Sequence, residues 1–200
     1  MPEYHTDLAF SQTFLRCRGR IFLEAVALKW NGDLTLDRHV RKLTVPWDMI
    51  GRKSRDSGCY ILILRLAKDT RIQVGGLGEV FFRKGYYLYA GSAKKALTKR
   101  MERHGRLRKK LFWHVDHLRE RAFFYKALAI RTEEDIECAL AAGLEKVSQW
   151  KVPGFGCSDC SCVSHLFGMD ADPLRHPPFI SMLYDYRICA VEREVVHAHH

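Results

Sequence analysis

The run CYILILRL at positions 59–66 constrains this chain more than any other stretch, being apolar and β-branched or leucine-rich throughout, with Arg65 its single charge. Such a segment reads as a strand. Shorter extended pieces at 71–75 and 79–82 flank Gly75-Gly76-Leu77-Gly78, and GYYLYA at 85–90 reads as a further strand, so antiparallel pairing is expected. No Gly-Lys-Ser/Thr follows the glycines, which makes them turn chemistry rather than a phosphate loop. After Gly91-Ser92 the texture becomes helical, with Ser92 expected to cap a helix over 94–107. Arg100 and His104, four apart, then project from one face of it. Residues 122–130 read as strand. Thr132, Glu133, Glu134 and Asp135 have the form of a capping box leading into a helix whose apolar stripe is Ile136, Leu140, Leu144 and Val147. Glu137 falls just off that stripe, a half-sheltered place suited to a carboxylate that holds a metal or a partner.

The fold class expected is α/β: a small antiparallel-rich central sheet flanked by helices, preceded by an N-terminal helix and β-hairpin. Residues 1–50 form the appendage, with a polar helix over 7–16 and strands over 21–30 and 34–45 joined by Asn31-Gly32-Asp33, a strong hairpin signal. The polar, glycine-flanked stretch 51–57 is a linker. The main domain runs over 58–187, and 188–200 is a C-terminal tail.

With 47% hydrophobic residues the chain can bury a core, which excludes wholesale disorder. No apolar run approaches a membrane span and the N-terminus has no secretory pattern, so a cytoplasmic protein with no membrane partner is expected. The formal charge is +10, favouring a polyanionic partner. Between 92 and 121 there are eleven Lys or Arg against three acidic residues, so most of the surplus lies in one segment. Lys94, Lys95, Lys99, Arg103, Arg106, Arg108, Lys109 and Lys110 are therefore candidate phosphate contacts; a solvated basic face is the plainer alternative. The seven cysteines are odd in number and scattered, which fits reduced thiols. One group, Cys157, Cys160, Cys162 and His165, has donors for a Zn²⁺ shell but crowds four ligands into nine residues; small buried thiols in a glycine-containing loop are the alternative.

Four motifs in order carry a resemblance. Gly58-Cys59-Tyr60 opens one strand, Tyr89-Ala90-Gly91 closes another, Arg100 and His104 stand on the following helix, and Glu137 on a later one. The set resembles the GIY-YIG nuclease superfamily. More narrowly, GYYLYAGSA, RMERH, WHVDHLR, IECALA and GFGCSDCSCVSHLF look like a GIY-YIG-like domain family often fused to other nucleic-acid proteins. Residues 1–50 more faintly resemble the C-terminal end of sugar fermentation stimulation proteins.

The resemblance implies a metal-dependent endonuclease that hydrolyses DNA phosphodiesters, in repair or on branched DNA, with a fused or associated nuclease or repair protein as a partner. In that reading Glu137 holds Mg²⁺ or Mn²⁺, Tyr60 orients or deprotonates the attacking water, and Arg100 braces the phosphorane. His104 relays a proton, and Tyr89 bonds the phosphate or Tyr60. His114 and Asp116 fit supporting or packing roles. Cys59 and Ala90 replace isoleucine in the two name triplets, at strand positions expected to face the core. No asparagine matches the family's C-terminal polar residue, so Asp159 or His165 is the candidate there. Two other readings stay open: a nucleic-acid-binding module that keeps the fold without cutting, and a zinc-stabilised interaction domain.

Overall fold

A computed structural model describes residues 56–197, together with a two-residue antiparallel ladder, Arg16–Cys17 against Arg20–Ile21. The chain separates into two compact units, 1–49 and 50–200. The N-terminal helix and hairpin expected over 7–45, and the resemblance of residues 1–50, otherwise lie outside the described residues. All that follows concerns the second unit.

Its strands and helices are β1 (Gly58–Leu66), β2 (Thr70–Gln73), β3 (Glu79–Phe82), β4 (Gly85–Ala93), α1 (Leu97–Gly105), α2 (His114–Arg119), β5 (Phe123–Arg131), α3 (Glu137–Val147), β6 (Trp150–Lys151), β7 (Leu166–Met169) and α4 (Pro177–His197). Five of them form one antiparallel sheet in the order β5-β1-β4-β7-β6, while β2 and β3 make a separate hairpin around the turn Gly75–Leu77. The expected α/β class, an antiparallel sheet flanked by helices, is what the chain adopts.

The apolar run of β1 is central because both of its faces are covered, and every residue but Arg65 is buried. Alternation divides it. Tyr60, Leu62 and Leu64 join Tyr87, Tyr89, Leu97 of α1, Val115 and Leu118 of α2, and Phe82 of the hairpin in one core. Cys59, Ile61 and Ile63 join Leu88, Ala90, Leu140 and Leu144 of α3, and Phe179 of α4 in the other. Cys59 and Ala90, the two smaller residues, are 1% and 0% exposed, as their strand positions required.

Several boundaries differ from expectation, among them the start of α3, where Ile136 is the N-cap without a side-chain cap bond and the capping box at 132–135 is not formed. Ser92 does not cap α1; β4 continues through it, pairing Ser92 with Cys59, and the helix starts at Leu97 instead of 94. The cap comes from afar, where Asp56 Oδ1 accepts from the Thr98 amide at 2.9 Å and hydroxyl at 2.6 Å. At the other end, α4 runs from 177 to 197 through the position where a tail was expected to begin. No helix among the described residues is long and apolar enough to cross a membrane.

Candidate functional site

The expected site residues come from β1, β4, α1 and the start of α3. The Tyr60 ring lies across Gly91 of the neighbouring strand, where a Cβ would stand 2.6 Å from both its Cζ and hydroxyl oxygen. Only glycine leaves that room. Tyr60 and Tyr89 are 2% and 6% exposed, so neither is a surface phenol. The Tyr60 hydroxyl is 3.0 Å from His104 Nε2.

Behind His104, its Nδ1 lies 3.5 Å from Asp116 Oδ1, long for a formed hydrogen bond yet directed at a fully buried carboxylate. With Nδ1 protonated toward Asp116, Nε2 is the acceptor and Tyr60 O–H the donor, a tautomer assigned from these partners. Asp116 is gripped by Lys109 at 2.8 Å, Arg103 at 3.1 Å, and the amides of Phe112 and Trp113 at 3.0 and 3.2 Å. Burial by itself would raise its proton affinity. The facing His104 ring and the bonds from Lys109, Phe112 and Trp113 outweigh that and hold the carboxyl well below its usual range. Burial first, then the positive charge of Lys109, lowers the pKa of His104 against the opposing pull of Asp116, so the ring is neutral at pH 7.

Arg100 meets Glu137 at Ser92. The guanidinium donates to the Ser92 carbonyl at 2.7 Å, and the Ser92 hydroxyl donates to Glu137 Oε2. Arg100 also lies 5.0 Å from the centre of the Trp113 ring, which Arg103 approaches at 4.4 Å. The charges of Arg100 and Glu137 both act on the phenols of Tyr60 and Tyr89. For both tyrosines burial dominates and raises the pKa; the Arg100 charge works against it and loses. Burial therefore keeps Tyr60 a phenol: desolvation of a phenolate in this core costs more than one partly exposed cation returns.

The other carboxylate oxygen, Glu137 Oε1, is 3.0 Å from His165 Nδ1 on the loop before β7. Of the two candidates for the C-terminal polar position, His165 reaches Glu137 and is 1% exposed, whereas Asp159 is an exposed loop residue. His165 Nε2 faces sulfur. Cys138, Cys160, Cys162 and His165 bring one donor atom each to within 4.8 Å of one another. Cys157 is not among them. Cys138, on α3 beside Glu137, takes the place the contiguous motif assigned to Cys157, because the loop folds its later half against α3. The thiols differ: Cys138 is pushed up to about 12, chiefly by its hydrogen bond with Cys162 and then by burial, whereas at Cys160 burial is outweighed by hydrogen bonds with Cys162 and Cys138 and the pKa falls.

The basic segment divides. Lys94, Lys95, Lys99, Arg106, Arg108 and Lys110 are exposed, with Leu107 and Phe112 standing out among them at 58% and 73% exposure. Lys109 and Arg103 turn inward instead. The Lys109 side chain is only 6% exposed, bonded to Asp116 and to the carbonyls of Arg103 and His104 at 3.2 Å. As a phosphate contact Lys109 is corrected, since the buried charge of Asp116 claims its ammonium. His114 Nδ1 accepts from the Gly156 amide at 3.0 Å and its ring packs 5.5 Å from Phe155, a supporting role. Ser92 and Cys138 were missed in sequence; the one signal available was that Cys138 adjoins Glu137.

Residues 59–182 match the family described as Domain of unknown function DUF123, and the chain belongs to it. No curated protein and no solved structure matches the chain.

Proposed function

We propose that this DUF123 domain is a metal-dependent endonuclease that hydrolyses DNA phosphodiesters in the manner of the GIY-YIG nucleases, on branched or damaged DNA and alongside a fused or associated repair protein. The observation that carries the reading is the meeting of Arg100 and Glu137 at Ser92, on the strand holding Tyr89 and across from the Tyr60 that overlies Gly91. Guanidinium, carboxylate and two phenols are the parts that hydrolysis of an anionic ester requires.

The proton path follows from the neutral phenol. Water attacking phosphorus passes its proton to the Tyr60 oxygen as Tyr60 passes its own to His104 Nε2, and Asp116 stabilises the imidazolium that results. Tyr60 thus works as a relay with no phenolate formed beforehand. The Arg100 guanidinium braces the charge gathering on the phosphorane, and Tyr89 donates to a phosphate oxygen. Glu137, a hard oxygen donor 23% exposed beside these groups, would hold Mg²⁺ or Mn²⁺, which when bound neutralises charge on the departing oxygen. The exposed Lys94, Lys95, Lys99, Arg106, Arg108 and Lys110 supply the counterion-releasing surface for DNA. Cys59, Cys138, Cys157, Cys160 and Cys162, all free, favour a reducing cytoplasmic setting.

A nicking assay on plasmid and branched DNA with Mg²⁺ or Mn²⁺ tests this. Arg100→Ala is expected to lower cutting by about 10²–10³-fold and Tyr60→Phe by about 10²–10⁴-fold, with Glu137→Ala abolishing it and all three variants folded. Salt-sensitive binding without cleavage on any of these substrates would leave the binding-module reading in its place.

A further inference from the structure

Beyond the phosphodiester site, we infer that Cys138, Cys160, Cys162 and His165 Nε2 form a closed tetrahedral Zn²⁺ centre, with Glu137 as the carboxylate that orients its histidine. This site stands whether or not the chain cuts DNA.

The donors come from two places that only the fold unites. Cys138 stands on the first turn of α3, and the other three lie in the loop between β6 and β7. That loop is drawn closed by the Gly154 amide on the Val163 carbonyl at 2.9 Å and the His165 amide on the Phe155 carbonyl at 2.8 Å, while the His165 carbonyl takes the Ala90 amide of β4 at 2.9 Å. His165 is consequently held by its backbone on both sides and has a side chain 2% exposed.

Its ring has one orientation that satisfies every neighbour. Nδ1–H donates to Glu137 Oε1 at 3.0 Å, which leaves the Nε2 lone pair bare and aimed at sulfur, 3.5 Å from Cys160 Sγ and 4.0 Å from Cys138 Sγ. Zinc–sulfur bonds near 2.3 Å and zinc–nitrogen bonds near 2.0 Å put tetrahedral ligands about 3.5–3.8 Å apart. A cluster within 4.8 Å needs only a small contraction to reach that spacing. Three thiols and an imidazole are soft or borderline donors, matched to Zn²⁺ and ill suited to Mg²⁺. The carboxylate on the far side of the imidazole is the arrangement that fixes tautomer and raises ligand basicity in metal-bound histidines. Four protein ligands leave no open position, so the centre is structural: it clamps the cysteine-bearing loop to α3, and through His165 it holds one oxygen of Glu137. On binding, each of the three thiols releases its proton to solvent.

The test reads metal and thiols, not cutting. The full chain, expressed with zinc supplied and purified without chelator, should carry one zinc per chain by elemental mass spectrometry. Replacing it with Co²⁺ should give the visible ligand-field bands of a tetrahedral thiolate site. In the zinc-loaded wild type, alkylation mapped by mass spectrometry should find Cys138, Cys160 and Cys162 protected together and Cys157 labelled; a chelator should release all three. Cys157→Ser should keep the metal and Cys138→Ser lose it. Glu137→Ala should weaken zinc binding by about 10–100-fold, while Glu137→Gln, which still offers an oxygen to His165 Nδ1–H, should stay close to wild type. Metal-free chain with all four thiols equally labelled, a disulfide within the trio, or protection of Cys157 in place of Cys138 would each overturn the assignment without any variant having to fold. Because no readout involves DNA, a failed nuclease assay leaves this result intact.

Discussion

His104 and His165 each turn Nδ1 toward a carboxylate, yet their proton affinities move in opposite directions. His165, 3.0 Å from Glu137, is raised, first by that hydrogen bond and against the opposing effect of burial. His104, aimed at Asp116 over 3.5 Å, is lowered. Both rings are buried, and burial, which lowers both, leads at His104 but comes second to the Glu137 hydrogen bond at His165. The carboxylates differ as well. Asp116 already answers Lys109, Arg103 and two backbone amides, and those cations press back on His104. Glu137 has a serine hydroxyl as its other partner. How far a carboxylate raises the proton affinity of a neighbouring imidazole depends on what else the carboxylate is holding.

The sharpest way to break this contrast is to neutralise each acid in turn. Asp116→Asn leaves Lys109 and Arg103 facing a neutral amide in the interior, and stability should fall by about 3–5 kcal/mol. Glu137→Gln should cost about 1 kcal/mol or less. Urea denaturation of the two variants compares them; equal losses would mean the two carboxylates are equivalent after all. Next in size, Gly91→Ala forces a methyl against the Tyr60 ring and should cost about 1–3 kcal/mol by the same method, together with loss of any DNA cutting. Tyr60→Phe removes the bond to His104 Nε2 and leaves a buried acceptor unpaired, for about 1–3 kcal/mol; a thermal shift no larger than that of a surface control would show the bond to be dispensable.

Acid should separate the regions further. His104 has a folded pKa below its unfolded value near 6.5, so the unfolded chain binds the proton first, and stability present above that pH is lost as pH falls below it. Asp116 is depressed in the same sense from 3.8, adding a second, steeper loss below about pH 4. Denaturant midpoints across pH 3–8 should show both limbs in the wild type, and the lower one reduced in Asp116→Asn. The smallest effect is expected at the surface. Lys94→Ala should change stability by less than about 0.5 kcal/mol while lowering the salt slope of DNA binding by about 0.9. Lys109→Ala should instead destabilise the fold, because its ammonium serves Asp116.

Much of the sheet was legible beforehand. The run of β1 and the aromatic strand β4 announce themselves by composition, since a strand covered on both faces must be largely apolar, and the shorter, mostly exposed β2 and β3 by the glycine turn between them. The stripe of α3 likewise follows its period, and Leu140 and Leu144 are fully buried. Less was legible at the edges. Residues 150–151 make a two-residue strand, too short for any pattern, and Ser92 followed by a helical texture looked like a cap until its ladder with Cys59 claimed it. Within the candidate site, Tyr60, Arg100, His104 and Glu137 could be marked from motif order, but the inward turn of Lys109 could not, because a lysine in a basic run reads as solvated whether or not a buried carboxylate lies within reach.

Sequence alone determined which segments of β1 to β5 and α3 are extended or helical and which side chains are candidates for chemistry, because hydrophobic period and side-chain type act over a few residues. Tertiary structure decided who meets whom: Ser92 between Arg100 and Glu137, Cys138 in place of Cys157, His165 between an acid and three sulfurs. Those choices depend on distances through space, and a helix turn against a returning loop can make residues far apart in the chain closer than neighbours within one motif.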